Sequence, residues 1–487
     1  MEPLPPLLFP ARSQRERRWM ARLKGEGRIR SIGPRLYTSL PDHLVADTTR
    51  AAWATIASAL FPGSLVSFRT ALEMTPSPER VVFLTGNSNR RFVYTGLTIQ
   101  FVRGQPALDD DRPFLDLRVS STPRALLENL RPDPRSRTSR VVSTEVIEHR
   151  LEQLLHAGGE EGLNRVRDRA AEIARSLGWE PASDRLNGVV GALLGTRSAD
   201  KLGSWVARAR AAGEPFDPAC VGRMQVLLAE LLSRPLANPP DVTSSPEHVR
   251  NKAFFEAYFS NYIEGTRFEI AEAEQIVFDR KVPAERPVDA HDIVGTFELV
   301  SDPDEMRRTP PGHEELLELL RRRHRTMLAR RAEARPGRFK ERENWAGGTL
   351  FVHPDLAIGT LREGFGRYVS LEPGLARAIF ILFLLTDVHP FTDGNGRVAR
   401  IFMNAEMTAA GAATILVPTV FRDDYMTALK AMTRRERPGP LVDALIKAAS
   451  FSRLDFSRYP RVLDELRRRY WFEEPDVARI LTAPLSA

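Results

Sequence analysis

The apolar run at residues 378–385 constrains the fold of this chain more than any other segment. Its residues, AIFILFLL, would be apolar on every side of a helix, and such a helix has to be enclosed by other elements. The run is too short to span a bilayer, and Arg377 stands at its edge. We therefore predict a helix over residues 373–388 that forms the buried centre of a helical domain.

Proline and small polar residues mark a linker at residues 233–245, SRPLANPPDVTSS, which neither continues a helix nor pairs as a strand. At 487 residues the chain is also too long for one typical core. We predict a mainly α protein: an α+β domain over residues 1–135, a helical segment over 136–232, the linker, a nearly all-helical domain over 246–457, and a helical tail over 458–487.

Local signals divide the domain at 246–457 further. Ser245 as a cap, Pro246 in the first turn and Gly265 as a left-handed stop predict one helix between them. Residues 344–360, with paired glycines and a short apolar run, predict a hairpin or flap. Further helices are expected over residues 314–331 and 397–410, with Arg321 to Arg323 on the outer face of the first.

Charge and cysteine usage limit the class of protein only coarsely. The formal charge is +7 and is carried mostly by arginine, which favours a nucleotide or nucleic-acid partner weakly. Cys220 is the single cysteine, so no internal disulfide can form. The first residues lack the basic start and cleavage site of a secretory signal, and we expect a cytoplasmic protein without a membrane partner.

The segment at residues 389–400, HPFTDGNGRVAR, lies between two predicted helices. Gly394 and Gly396 let the backbone turn tightly and approach a ligand. The free N–H groups of the following helix would point into this loop and attract an anion. Arg397 and Arg400 share one helix face, where both could clamp a polyphosphate.

Two other residues of the loop add chemistry. Asp393 offers an oxygen ligand for Mg²⁺, and His389 could take a proton from an attacking hydroxyl. Together these groups would favour nucleophilic attack at a phosphorus atom. The alternative from the residues alone is a polar turn between helices, with a capping His389 and two surface arginines.

The loop matches, at every fixed position, the motif HPFx[D/E]GNGRxxR of the Fic family, and the flap and the stretch at 418–429 also resemble that family. The resemblance covers residues 246–457. It implies that His389 is the general base and that Asp393 binds Mg²⁺. It also implies that the ATP phosphates are held by Gly394, Asn395, Gly396 and Arg397, that Arg400 contacts the γ-phosphate, and that Tyr425 contacts the adenine. The flap would dock the target protein through Thr349, Leu350, Phe351 and Val352.

The resemblance also indicates which group is transferred. Relatives that transfer phosphate carry Ala-Asn-Lys where this chain has Gly394, Asn395 and Gly396. The smaller residues favour transfer of AMP from ATP to a Tyr, Thr or Ser hydroxyl of a target protein. This would be a nucleotidyltransferase reaction that uses Mg²⁺ as its cofactor.

A second motif lies at the end of the first helix of this domain. Ser260, Glu264 and Gly265 fit the inhibitory pattern [S/T]xxxE[G/N] of Fic proteins, which implies that Glu264 pairs with Arg400 and blocks the γ-phosphate. The alternative is an ordinary glutamate at a helix end beside a glycine cap. Some relatives with this glutamate also remove AMP, so a mainly reverse activity stays open.

The N-terminal part allows two interpretations. Residues 14–74, with a basic helix and two short strands around Gly33, resemble the winged-helix antitoxin-regulator domain of abortive-infection systems (the AbiEi type). This favours DNA as a partner, and a toxin–antitoxin role, through contacts to phosphates. Otherwise the arginines form the solvated face of a small recognition or homodimerisation domain. A DNA-binding regulator with a nucleotide-sensing Fic module is therefore the alternative function.

Overall fold

A computed structural model of the chain describes residues 4–11, 13–131, 140–197, 202–243, 245–451 and 454–473. The chain divides into two compact units, Met1–Gly213 and Glu214–Ala487. More than half of the protein is helical. The predicted mainly α class, with a helical C-terminal core and a smaller α+β N-terminal region, is confirmed.

The first unit combines a short sheet, a longer sheet and eight helices among the residues described. Its strands are β1 (Leu7–Leu8), β2 (Arg30–Gly33), β3 (Leu36–Thr38), β4 (Leu65–Val66), β5 (Val81–Gly86), β6 (Arg90–Tyr94), β7 (Leu97–Arg103), β8 (Arg112–Phe114) and β9 (Leu117–Val119). Its helices are α1 (Gln14–Gly25), α2 (Asp42–Ala51), α3 (Trp53–Leu60), α4 (Phe68–Glu73), α5 (Thr122–Leu130), α6 (Thr144–Leu177), α7 (Glu180–Leu193) and α8 (Trp205–Ala211).

The longer sheet has the strand order β6-β7-β5-β4-β9-β8, with β5 parallel to β7 and β4 parallel to β9. The shorter sheet has the order β1-β3-β2, and Gly33 at the end of β2 begins the predicted turn into β3. The basic α1 lies between β1 and β2 in the chain, and whether this unit is a winged helix that binds DNA stays a prediction. The boundary at residue 135 lies outside the described residues.

The second unit is built from helices and one hairpin. Its helices are α9 (Pro218–Ser233), α10 (Pro246–Ile263), α11 (Ile270–Phe278), α12 (Pro287–Val300), α13 (Pro303–Met306), α14 (His313–Met327), α15 (Pro354–Tyr368), α16 (Leu375–Val388), α17 (Asn395–Ala409), α18 (Arg422–Arg435), α19 (Gly439–Phe451) and α20 (Tyr459–Arg468). The hairpin pairs β10 (Trp345–Ala346) with β11 (Thr349–Leu350).

Helix α16 is the predicted central helix, and nearly all of its side chains are buried. It packs against α17, α15 and α9, so that its apolar surface is covered on several sides. Because α9 belongs to this core, the boundary between the two units precedes the proline-rich stretch at residues 233–245. The linker therefore runs between two helices of the same unit.

The capping signals act as expected around α10 and in the flap. The Ser245 hydroxyl accepts a hydrogen bond from the His248 N–H (3.2 Å), and Gly265 takes a left-handed φ of 94° just after the helix. In the flap, Gly347 and Gly348 have φ values of 53° and 78°, which only glycine adopts at low cost in a two-residue turn.

One detail differs from the sequence-based expectation. Arg323 is fully buried, not on the outer face of its helix, because its guanidinium pairs with the Glu305 carboxylate at 2.9 Å. The C-terminal tail is helical over Tyr459–Arg468, and residues 474–487 lie outside the described part of the chain.

Among the described residues, no helix combines the length and apolar character that a membrane crossing requires.

Candidate active site

One cavity of the second unit lies at the turn between α16 and α17. Its volume of about 390 Å³ is within the usual range of small-molecule sites. The end of α10, the flap, the loop before α17 and α18 contribute its lining: Glu264, Trp345, Ala346, Gly347, Thr349, Phe351, Thr386, His389, Thr392, Asp393, Gly394, Asn395, Gly396, Arg400, Tyr425, Met426, Leu429, Lys430 and Thr433. Segments distant in sequence thus converge on the predicted loop.

His389 follows α16 directly and has a left-handed φ of 53°. Its Nδ1 lies 3.1 Å from the Thr386 carbonyl oxygen, and since a carbonyl only accepts, Nδ1 carries the proton. Nε2 is then the unprotonated nitrogen of the neutral ring. Burial lowers the pKa of His389 to about 4, although part of the ring faces the cavity. A neutral imidazole of this kind can accept a proton at neutral pH.

Phe351 of the flap lies flat on the His389 ring. The ring centroids are 3.7 Å apart and the planes differ by 4°. The stack covers one face of the imidazole, while the hydrogen bond to Thr386 fixes the ring in its own plane. The orientation of His389 is therefore set by two perpendicular constraints, one from the flap and one from the last turn of α16.

Glycine is required at two positions of the loop for different reasons. Gly394 takes a left-handed φ of 75° and precedes the first residue of α17. At Gly396 an added Cβ would lie 2.1 Å from the Glu264 Oε1, so a side chain there would displace this carboxylate from its contact with Arg400. The backbone N–H groups at the start of α17 line the cavity and provide an anion site.

Asn395 uses its side chain to close the loop. Its Oδ1 accepts a hydrogen bond from the Phe391 N–H, and its Nδ2 donates one to the Phe391 carbonyl, both at 2.8 Å. The side chain is buried, and both its oxygen and its nitrogen are engaged with the Phe391 backbone. Of the predicted phosphate contacts of Asn395, the backbone N–H is the group that is left to bind a ligand.

Arg400 is held by the end of α10. Its Nε donates to the Ser260 hydroxyl (3.0 Å), and its Nη2 donates to the Ser260 carbonyl (2.8 Å) and to the Glu264 carboxylate (2.8 Å). The Arg400 side chain is only 6% exposed, whereas that of Glu264 is 31% exposed. The two predicted motifs, far apart in sequence, therefore meet in one ion pair.

The spacing predicts that Arg397 lies beside Arg400 at the phosphate site, but in the structure Arg397 points elsewhere. Its guanidinium donates to Asp292 Oδ2 at 2.7 Å and to Asn261 Oδ1 at 3.3 Å, and it does not line the cavity. Asp292 also accepts from Arg331, so a buried carboxylate lies between two guanidinium groups. Arg397 thus ties α17 to α12 and is not a free phosphate clamp in this structure.

Asp393 is the candidate metal ligand, and its side chain is about half exposed. Its Oδ1 accepts a hydrogen bond from the Gly394 N–H at 2.6 Å, and its Oδ2 lies 3.6 Å from Arg397. The described residues contain no cluster of three or more metal-binding side chains. A single carboxylate at an open cavity nevertheless fits Mg²⁺, which often takes one protein carboxylate and completes its shell with phosphate oxygens and water.

Lys340 links the base of the flap to the end of α16, next to His389. Its buried Nζ donates to Asn344 Oδ1 (2.8 Å) and to the Val388 carbonyl (3.3 Å). Burial lowers the pKa of Lys340 to about 8. Asn344 in turn donates to the Phe391 carbonyl at 2.9 Å, so the base of the flap and the loop that begins at His389 are held together.

The other predicted site residues have varied positions. Thr349 accepts a hydrogen bond from Arg434 Nε at 2.9 Å, and Leu350 is exposed. Val352 is buried in the apolar core, so it is not available to a target segment. Tyr425 is fully buried beside Arg400 and also lines the cavity.

Sequence reasoning missed several residues that support the loop: Asp292, His324, Lys340 and Asn344. A signal existed for two of them. His324 follows Leu316 and Leu320 at intervals of four along α14, and Asp292 lies next to the buried Ile293 on α12, so a polar residue occupies a buried helix face in both cases. A polar residue on such a face needs a partner, although the sequence does not identify that partner.

Comparison with known proteins agrees with this geometry. Residues 315–407 match the model of the Fic/DOC family. The matched range runs from α14 to α17 and includes the flap, α16 and the loop that begins at His389. The chain therefore carries a Fic domain.

Curated relatives share a longer region. "Protein adenylyltransferase Fic" of Drosophila persimilis is 26% identical over 198 residues, which cover 39% of this chain and 38% of the relative. The protein of the same name from Drosophila melanogaster is 27% identical over 192 residues, or 37% and 38% of the two chains. The alignments thus span well under half the length of these relatives.

A solved structure of Fic-1 from C. elegans aligns with 66% of this chain and 99% of its own, at 16% identity and a TM-score of 0.38. At that TM-score the similarity supports no argument about the site.

Proposed function

We propose that this chain is a protein adenylyltransferase that transfers AMP from ATP to a hydroxyl of a target protein and is inhibited by Glu264. One observation carries the proposal: a neutral His389 and the N-terminus of α17 line the same cavity. A proton acceptor and a phosphate-binding helix end are the two groups that attack at a phosphorus requires. The names of the curated relatives support the same reaction.

The chemical step follows from these groups. The target hydroxyl loses its proton to His389 Nε2 as its oxygen attacks the α-phosphorus of ATP. A new oxygen–phosphorus bond forms, the bond from the α-phosphorus to the bridging oxygen breaks, and pyrophosphate leaves. The backbone N–H groups at Gly396 and its neighbours stabilise the phosphate charge. Mg²⁺ bound through Asp393 would neutralise charge on the phosphates.

Glu264 supplies the inhibition in this proposal. The Arg400 guanidinium is the cationic side chain of the loop that remains beside the cavity, and its Nη2 is already paired with Glu264. A γ-phosphate that needs Arg400 would have to displace this carboxylate. In addition, Glu264 lies against Gly396, where its negative charge repels an incoming phosphate.

The test is transfer of label from ATP to protein, with Mg²⁺, in the full chain. We compare unaltered protein, Glu264→Gly, and Glu264→Gly combined with His389→Ala. Label from the α-phosphate should rise in the single variant and disappear in the double variant. If label from the γ-phosphate transfers instead, the group moved is phosphate and the proposal is wrong.

A further inference from the structure

His324 is a polar ring in the apolar face of α14. It follows Leu316 and Leu320 at intervals of four, and like them it is 0% exposed. A buried polar side chain at such a position costs free energy unless its polar atoms are hydrogen-bonded. The partners of both ring nitrogens therefore indicate what this histidine does.

Both ring nitrogens bond to backbone groups, and this fixes the tautomer. Nδ1 lies 2.9 Å from the Gly337 N–H, which can only donate, so Nδ1 accepts and carries no proton. Nε2 must then carry the proton, and it donates to the Asp393 carbonyl at 2.9 Å. The neutral ring is therefore a fixed link between the turn at Gly337 and the middle of the loop.

The same ring also packs on the loop. It stacks on Phe391 with the centroids 3.8 Å apart and the planes 6° from parallel. Phe391 is the residue on which the Asn395 side chain closes. His324 and Asn395 thus hold different parts of one loop: Asn395 joins its two ends, and His324 holds its centre against α14.

The Asp393 carbonyl belongs to the peptide group whose N–H is that of Gly394. Rotation of this peptide would turn the Gly394 N–H and would move the Asp393 side chain. The position is also sterically tight, because an added Cβ at Gly394 would lie 2.7 Å from Leu328 Cδ1. The Gly394 N–H donates to the Asp393 carboxylate at 2.6 Å, so a single donor at Nε2 can set both the peptide at the start of α17 and the candidate metal ligand.

We propose that His324 is a positioning residue for the phosphate-binding loop, and that its Nε2–H holds the Asp393–Gly394 peptide, and with it the Asp393 carboxylate, in the orientation that begins α17. The inference rests on the proposed function, since it assigns the loop to a nucleotide. It differs from a packing role because it depends on one hydrogen bond and not on the volume of the ring.

Three substitutions separate the two roles. In His324→Gln the amide nitrogen is as many bonds from Cα as Nε2, so it can reach the Asp393 carbonyl. His324→Asn places its amide at the position of Nδ1, where it can keep the Gly337 bond but not the Asp393 bond. His324→Phe keeps the ring volume and the stack but loses both hydrogen bonds.

The variants are made in the full chain that carries Glu264→Gly, so that Arg400 is free. Two measurements are made: the dissociation constant for ATP with Mg²⁺ by calorimetry, and hydrogen–deuterium exchange of a peptide that covers residues 391–397 without nucleotide. Exchange in α16 serves as a reference for global opening. His248→Phe is the matched control, because His248 is also 0% exposed in this unit but packs against Asp455 and Phe456.

The Gln variant should bind nucleotide within about threefold of its parent, whereas the Asn and Phe variants should bind about tenfold more weakly, the factor that one hydrogen bond of about 1.4 kcal/mol produces. Loop exchange should be faster in Asn and Phe than in Gln, while exchange in α16 changes little. His248→Phe should lower the melting temperature but leave both loop measurements unchanged.

The proposal is overturned if His324→Phe binds and exchanges like the parent, since packing alone would then suffice. It is also overturned if Gln is as impaired as Phe, because the restored donor would have no effect. Failure of the proposed function looks different: the parent would bind nucleotide without transferring AMP, or would bind none. Loop exchange, measured without nucleotide, still decides the role of His324 in either case.

Discussion

Two substitutions of Glu264 separate the ways in which this residue could block the site. Glu264→Gln removes the negative charge but keeps the size of the side chain beside Gly396. Glu264→Ala removes both the charge and the volume. Comparison of the two variants therefore measures how much of the inhibition is electrostatic and how much is steric occupancy.

The magnitude follows from the exposure of the ion pair. Arg400 is 6% exposed and Glu264 is 31% exposed, so one partner is desolvated and the other is partly screened by water. A hydrogen bond to a charged group contributes about 1.5–3 kcal/mol when buried, and an exposed ion pair contributes about 0–1 kcal/mol. For this intermediate case we expect about 1–2 kcal/mol, which is a factor of about 5–30 in the population with a free Arg400.

The assay is the initial rate of AMP transfer from α-labelled ATP, together with the dissociation constant for ATP. Glu264→Gln should raise transfer about 5–30-fold over unaltered protein, and Glu264→Ala should raise it at least as much. Glu298→Gln is the matched control, because it breaks a surface ion pair with Arg280 and should leave the rate unchanged.

The reasoning is refuted in part if Gln behaves like unaltered protein while Ala is fast. The carboxylate would then act by occupying space beside Gly396, and its charge would contribute little. If Ala is also slow, Glu264 is not the inhibitor, and the contact with Arg400 only stabilises the fold. A loss of melting temperature in both variants without any change in rate would support that second conclusion.

Three further substitutions test the electrostatics of the core. Phe351→Ala should let water reach His389 and raise its pKa from about 4 toward 6.5, so the acidic limb of the pH–rate profile should move to higher pH; an unchanged limb would contradict this. Asp292→Asn leaves Arg397 without its buried counter-charge, so the free energy of unfolding measured in urea should fall by about 3–5 kcal/mol. A much smaller loss would show that water or another group replaces the carboxylate. Burial raises the pKa of Glu256 to about 7, so the folded protein holds this proton more tightly than the unfolded protein does. The free energy of unfolding should therefore fall as pH rises toward 7. Glu256→Gln should flatten the pH dependence of the melting temperature, and an unchanged dependence would assign it to other groups.

Much of the second unit follows from local sequence. The apolar run at residues 378–385 is enough to predict a central helix, because such a helix cannot be stable in water. Ser245 and Gly265 bound α10 through hydrogen bonding and backbone conformation that depend on nearest neighbours only. The loop from His389 was recognisable for the same reason, since its glycines and its helix start lie within a few residues of each other.

Sequence spacing was less informative about which side chains meet. The spacing of Arg397 and Arg400 places both on one helix face, yet Arg400 lies beside the cavity and Arg397 pairs with Asp292, a residue 105 positions away. The separation arises because α10 and α12 pack on neighbouring parts of α17 and each contributes a carboxylate. Nothing in the local pattern specifies these carboxylates.

The sequence by itself predicted α10, α14, α16, α17, the flap turn, the loop and the chemical types of group available for phosphate chemistry. It did not predict α15, whose first turns fall within the segment assigned to the flap. Only the tertiary structure decided which ring stacks on His389 and which residue holds the Asp393 carbonyl. Those properties depend on distances of about 3 Å between segments that are far apart in the chain. Such distances result from the packing of whole helices, whereas propensities, caps and turns act over a few residues.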